Sequence, residues 1–194
     1  MRFRLLFLIT YLWIACSSPA SKEPRVEIRT KLGDIQVELY PGKAPKSVAA
    51  FLANVDAGLY KDASFYRVLN MDNQPSNAPK AELVQGGIWH KRNKPDSIAR
   101  IPHESTRQTG ILHKDGTLSL ARLEPGTAGS EFFICIGDQP GFDHGGDNNP
   151  DGEGYAAFGK VIGGMDIVRK IYRQPEQEQY FEKEIAIYNI VRLR

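Results

Sequence analysis

Cysteine is almost missing from this chain. Only Cys16 and Cys135 occur among 194 residues, which excludes a disulfide framework and a thiolate metal cluster. Long apolar runs are missing too: the stretch from Leu5 to Ile14 covers ten residues, about 15 Å of helix and too short to span a bilayer. Net charge is small, with 25 Lys and Arg facing 23 Asp and Glu, and the surplus of +2 sits on Arg2 and Arg4. A neutral domain argues against a nucleic-acid partner. There is no internal repeat, no Gly-rich phosphate loop, no Gly-x-Ser-x-Gly elbow and no His-x-x-x-His or Cys-x-x-Cys spacing. The four histidines, His90, His103, His113 and His144, are therefore expected to be surface or loop residues. No metal and no cofactor are expected. Asp147 to Gly152 begins like a calcium loop, but Phe158 stands where the bidentate Glu belongs and Pro150 intrudes, so a plain loop is the better reading. Gly126 to Ser130 offers Ser130 no identifiable base and reads as a turn.

What is present is ordinary globular composition, 41% hydrophobic and 25% charged, with 12 Pro and 18 Gly marking many turns. Residues 25–194 read as one domain. Ahead of it, the basic start with Arg2 and Arg4 and the apolar stretch to Ile14 make residues 1–15 an export signal. Cys16 directly after that stretch resembles the acylated cysteine of a bacterial lipoprotein, although Trp13 stands where such signals usually carry an aliphatic. Residues 16–24, small, polar and proline-broken, then form a tether. The expectation is a domain exported to the cell envelope and lipid-anchored through Cys16 at the periplasmic face of a bacterial membrane. Cys135, inside the apolar run Phe132 to Ile136, reads as a buried thiol.

Periodicity gives the architecture. Val26 and Ile28, then Ile35, Val37 and Leu39, alternate around Gly33 as a hairpin with one buried face. Val48, Phe51, Leu52 and Val55 fall at helical spacing, opened by Pro45 and capped by Gly58. Phe65 to Leu69, Leu83 to Gln85, Thr117 to Leu120, Phe132 to Ile136 and Ala156 to Val161 are short strands. Met165, Val168, Ile171 and Tyr172 make a second amphipathic helix, and Ile185 to Val191 a last strand. Without helical crossovers the strands must pair antiparallel, as a barrel or sandwich.

Five ordered blocks sharpen this. Phe65 to Val68, Val84 to Gly87, Thr117 to Ala121, Gly129 to Ile134 and Ala157 to Val161 resemble the signature blocks of the cyclophilin-type peptidyl-prolyl cis/trans isomerases, from about Val26 to Leu193. The resemblance implies a mainly β fold: an eight-stranded antiparallel closed barrel capped by two α-helices. It also implies acceleration of Xaa-Pro isomerisation in proline-containing polypeptides, here during folding of exported or envelope proteins. A non-catalytic peptide-binding or chaperone module on the same barrel is the alternative. Nothing in the sequence demands a partner chain, so a monomer is expected.

By the same resemblance Arg67 is the catalytic residue, hydrogen-bonding the substrate near the prolyl amide. Phe65, Leu83, Phe133 and Phe142 fall on positions lining the proline pocket. Gln85 binds substrate backbone, and Ala121 and Arg122 match the stretch that pairs with the peptide main chain. Glu131 and Tyr155 complete the rim. Adjacent strand residues point to opposite faces, so Phe132 belongs to the core and Phe133 to the pocket. The chain departs from the family at Tyr66, where many members have His, at Arg122 for Asn and at Glu131 for Gln. It departs again at Gly141 for an aromatic and at Tyr155 for His. Arg122 and Glu131 are expected to pair, and the missing aromatic predicts weak sensitivity to cyclosporin. The polar, Pro-rich stretch Asn70 to Ala81 is an insertion expected near the pocket.

Overall fold

A computed structural model describes residues 23–193. The expected leader, Cys16 and most of the tether lie outside those residues. The described chain runs β1 (Arg25–Thr30), β2 (Gly33–Leu39), α1 (Pro45–Asp56), β3 (Ala63–Leu69), β4 (Leu83–Gly87) and α2 (Thr106–Thr109). It continues through β5 (Thr117–Leu120), β6 (Phe132–Cys135), β7 (Ala156–Gly163), α3 (Met165–Tyr172), β8 (Glu176–Gln177) and β9 (Tyr180–Leu193).

The β1–β2 hairpin forms because its apolar residues pair on one face, Val26 with Val37 and Ile28 with Ile35. Its turn is tied by Thr30, whose hydroxyl donates to the Gly33 carbonyl at 2.6 Å. Every strand pairing is antiparallel. The order β1-β2-β7-β5-β6-β4-β3-β9 returns to β1 through a β1–β9 pairing, so eight strands close a barrel, and β8 is a two-residue arm on β9. Among the described residues closure leaves no long unpaired edge.

The barrel interior is built on Phe132, against which Phe51, Tyr60 and Phe65 pack with ring centroids 5.7 to 5.9 Å away. Each such ring is worth about 1.5–3 kcal/mol by burial. Helix α1 covers one side with Val48, Phe51, Leu52 and Val55 buried, and Gly58 follows it with φ +66. Its N-terminus has no local side-chain cap. Instead the buried Glu104 accepts the Lys46 and Ser47 amides at 3.1 and 2.8 Å and the Ser47 hydroxyl at 2.7 Å. A carboxylate there meets both unsatisfied donors and the positive end of the helix dipole.

Two expected helices are present as α1 and α3, and a third, α2, was not expected. It is a single turn, too short to show a period, opened by the Gln108 side chain accepting from the Ser105 amide and closed by Gly110 at φ +68. His113 lies in a loop but is not a surface residue: it is 1% exposed.

Candidate active site

Strand register assembles the site. Arg67 on β3 pairs with Gln85 on β4, Gln85 with Phe133 on β6, and Phe133 with Ser119 on β5. Directly opposed residues sit about 5 Å apart, so these four form one row across the barrel wall. The row depends on a bulge: β3 shifts register between Phe65 and Arg67 against both β4 and β9. One extra residue lets Tyr66 and Arg67, neighbours in sequence, both approach Gln85. It also corrects the expectation for Phe65. That ring is fully buried in the barrel, edge-on to Phe132, and takes no part in the pocket.

The residues expected at the pocket gather in a second apolar cluster of Leu69, Ala81, Leu83, Phe133, Cys135 and Phe142, bordered by Ala121 and Tyr155. Phe132 and Phe133 do divide between core and pocket. Phe133, Phe142 and Tyr155 pack in a triangle with centroids 5.2 to 5.3 Å apart. Beneath Phe133 the His113 ring lies stacked at 5.9 Å and 14°, held by Asp143 at 2.8 Å and the Ser119 hydroxyl at 2.9 Å. Cys135 is buried there, and burial pushes its thiol up. At Gly141 a side chain would meet the Asn148 amide, which would have to turn aside to admit one.

Arg122 and Glu131 do not pair. The Arg122 side chain is 1% exposed, donating to both Asp151 oxygens at 2.7 and 2.9 Å and to the Gly154 carbonyl at 2.9 Å, with its guanidinium 5.3 Å from the Tyr155 ring. Its side chain is committed to the Asp151 and Gly154 contacts behind the rim. The hydrogen bond from Arg122 holds the Asp151 carboxyl down at about 2. Glu131 turns the other way, under Gly87, where a side chain on that glycine would overlap the carboxylate. Gly87 sits at φ +147, a conformation open to glycine. The Glu131 carboxylate accepts the Ile88 amide at 2.9 Å and the Ser130 hydroxyl at 3.0 Å. Burial is the largest influence on it and raises its pKa, opposed chiefly by the nearby Tyr66 hydroxyl and the Ile88 amide.

Around Arg67 the hydrogen bonds run in one direction. Its Nη1 donates to Gln85 Oε1 at 3.1 Å, and Gln85 Nε2 donates to the Tyr66 hydroxyl at 2.7 Å. Having accepted, that hydroxyl has its own proton to turn toward Glu131. Arg67 Nε and Nη2 both donate to Gln179 Oε1, at 3.2 and 2.6 Å. Three of the five guanidinium N–H groups are thereby used and two stay available. Gln179 and His113 escaped the sequence reading. Gln179 stands 112 residues from Arg67 in a polar stretch without pattern, and His113 had no ligand spacing.

The Asn70–Ala81 insertion is ordered against the pocket. Gln74 staples it, donating to the Asn70 and Ala81 carbonyls at 2.6 and 2.8 Å. Asn148 donates to the Pro79 carbonyl at 3.3 Å, joining the insertion to the far rim.

Barrel and row together define a class: a closed antiparallel barrel that carries, outside its main core, a second apolar cluster beside a fixed arginine. The chain matches the family described as "Cyclophilin type peptidyl-prolyl cis-trans isomerase/CLD" over residues 25–192. It is 35% identical over 160 residues to the peptidyl-prolyl cis-trans isomerase of Acinetobacter baylyi, covering 82% of this chain and 77% of that one. It is 33% identical over 167 residues to peptidyl-prolyl cis-trans isomerase A of Dickeya dadantii, covering 84% and 80%. A crystal structure of a Cryptosporidium parvum cyclophilin in the presence of the dipeptide Ala-Pro superposes with a TM-score of 0.68 at 27% identity, covering 86% of this chain and 97% of that one. This chain belongs to the cyclophilin-type peptidyl-prolyl cis-trans isomerases.

Proposed function

We propose that this chain accelerates Xaa-Pro isomerisation with Arg67 as the catalytic residue, acting on exported or envelope polypeptides from a lipid anchor at Cys16. Rotating a prolyl amide is opposed by the partial double bond of the C–N link, with a barrier of about 18–20 kcal/mol. A catalyst needs no nucleophile, only tighter binding of the twisted amide than of either planar isomer. As the bond twists, the prolyl nitrogen becomes pyramidal and gains a lone pair that accepts a hydrogen bond. The single observation carrying the reading is that Arg67, locked on two sides by glutamine oxygens, keeps two charged N–H donors beside an apolar pocket.

Phe133, Phe142 and Leu83 hold the proline ring while the peptide before it turns, Tyr155 and Ala121 border it, and Gln85 orients both Arg67 and substrate. Charged hydrogen bonds are worth about 1.5–3 kcal/mol each. Two of them formed only at the twisted amide give about a hundredfold or more in rate. The assay is cis-to-trans conversion of short Xaa-Pro peptides by the full chain and by Arg67→Ala. A folded full chain that accelerates no peptide, whatever residue precedes proline, would instead be a peptide-docking module. Low sensitivity to cyclosporin follows from Gly141 and is read from the same assay with the drug added.

Anchoring has its own test. Several acyl chains on one cysteine give stable attachment where one is marginal, so Cys16→Ala moves the protein from the membrane to the soluble fraction and removes the acyl mass. Acylation surviving in that variant would sink the anchor reading.

A further inference from the structure

Gln179 is engaged through its backbone and through both ends of its side chain. Its Oε1 takes two Arg67 donors, its Nε2 donates to the Asn73 carbonyl at 3.2 Å, its amide donates to Glu176 at 2.8 Å, and its carbonyl accepts the Val68 amide at 2.8 Å. The orientation of its side-chain amide is forced, because a guanidinium only donates and a carbonyl only accepts. Val68, the residue after Arg67, gives its own carbonyl to Asn73 Nδ2 at 3.1 Å. Strand β3, the β8–β9 turn and the Asn70–Ala81 insertion are thus closed into one hydrogen-bonded ring around Arg67.

The turn that delivers Gln179 is an unfavourable one. Glu178 and Gln179 form the two-residue loop between the paired Gln177 and Tyr180, with φ +52 and +76. Both central residues of such a loop need positive φ, for which Asn and Gly are the usual choice. A glycine at the second position would relieve the backbone but could not reach Arg67. A guanidinium also needs an acceptor on its Nε edge to stop it swinging on a long, flexible stem, and Gln179 is the group that supplies it.

We propose that Gln179 is a positioning residue for catalysis: it fixes the Nε edge of Arg67 so that the two remaining donors face the prolyl amide, and it suspends that lock from the Asn70–Ala81 insertion through the Asn73 carbonyl. This rests on the reading of Arg67 given above.

The test uses the full chain with Gln179→Ala and Gln179→Glu, alone and in an Arg67→Lys background. Misplacing a catalytic group by about an ångström costs up to about a hundredfold. Gln179→Ala is expected to lower kcat about tenfold with KM within about twofold, because an interaction made at the transition state is lost. Gln179→Glu keeps an acceptor for the fork but sets a carboxylate oxygen against the Asn73 carbonyl, so it is expected to recover part of that loss, about threefold in kcat, whereas a merely structural turn would gain nothing from the carboxylate. In Arg67→Lys, which has no fork to hold, Gln179→Ala is expected to cost less than about twofold. Wild-type kcat in Gln179→Ala, no recovery in Gln179→Glu, or an undiminished effect in Arg67→Lys would each overturn the proposal. If Gln179→Ala fails to fold, the Nε–H resonance of Arg67 in the wild-type chain decides: persistence against solvent exchange supports the lock and exchange at the bulk rate overturns it. Full activity in Arg67→Ala would instead refute the underlying reading, so the two failures are told apart.

Discussion

Replacing Glu131 with glutamine should stabilise this protein at neutral pH and do so less as the pH falls. The carboxylate is largely enclosed beneath Gly87, its Oε2 has no partner at hydrogen-bond distance, and burial raises its pKa. An acid whose folded pKa lies above its unfolded value keeps its proton in the folded chain where the unfolded chain has lost it. The folded state then binds more protons between the two values, so stability is full below the unfolded pKa of about 4.3 and is lost as pH rises through the folded one. Glutamine cannot ionise and is spared that loss. Its oxygen still accepts from the Ile88 amide and the Ser130 hydroxyl, the two bonds that Glu131 Oε1 accepts, and only the approach of the Tyr66 hydroxyl to the other oxygen is given up. Losing their charge assistance costs about 1 kcal/mol in all, against a desolvation penalty of several kcal/mol for a buried ion. Whatever net gain remains at pH 7.5 shows in Tm at about 2–4 °C per kcal/mol for a domain of this size. Urea unfolding of Glu131→Gln and wild type, from pH 4 to pH 8, checks it. A variant less stable than wild type at pH 7.5, or a difference that does not shrink toward pH 4, refutes the reasoning.

Two further outcomes follow from the placement of side chains. Phe65→Ala empties a position in the barrel and should cost about 3–5 kcal/mol of stability with KM unchanged in the fraction that stays folded, while Phe142→Ala, also buried, should raise KM as well as lose stability; a raised KM in Phe65→Ala, read by peptide kinetics beside urea melts, would return Phe65 to the pocket. Glu104→Gln presents an amide N–H to one of the donors at the start of α1, and should lose about 3 kcal/mol; a change under 0.5 kcal/mol in denaturant titration would show that α1 does not need this distant carboxylate.

Much of the barrel could be read directly, because one-sided burial leaves period two in the strands: Val26 to Leu39 paired in the register their alternation requires, and Phe132 and Phe133 parted to opposite sides. That logic failed at Phe65. Alternation alone cannot announce an extra residue, and the bulge at Tyr66 appears only as a mismatch between strands far apart in sequence. Arg122 and Glu131 were misjudged for a related reason. Both belong to the rim by sequence position, yet each finds a nearer partner, Asp151 and the Ile88 amide, in loops whose path no periodicity encodes. The Glu104 cap on α1 and the Gln179 lock on Arg67 span 57 and 112 residues, and polar contacts at such range leave no local signature.

The β1–β9 seam has a practical reach. Arg25 stands directly across from Leu193, so the first and last described strands leave the barrel side by side. A short peptide could join them, and new termini could be cut into the exposed stretch around Arg92 to Asp96 without severing any strand pairing. The barrel can in principle be rewired into a circular permutant and hung from a different point on its surface, which would alter how the pocket is presented while leaving its wall as it is.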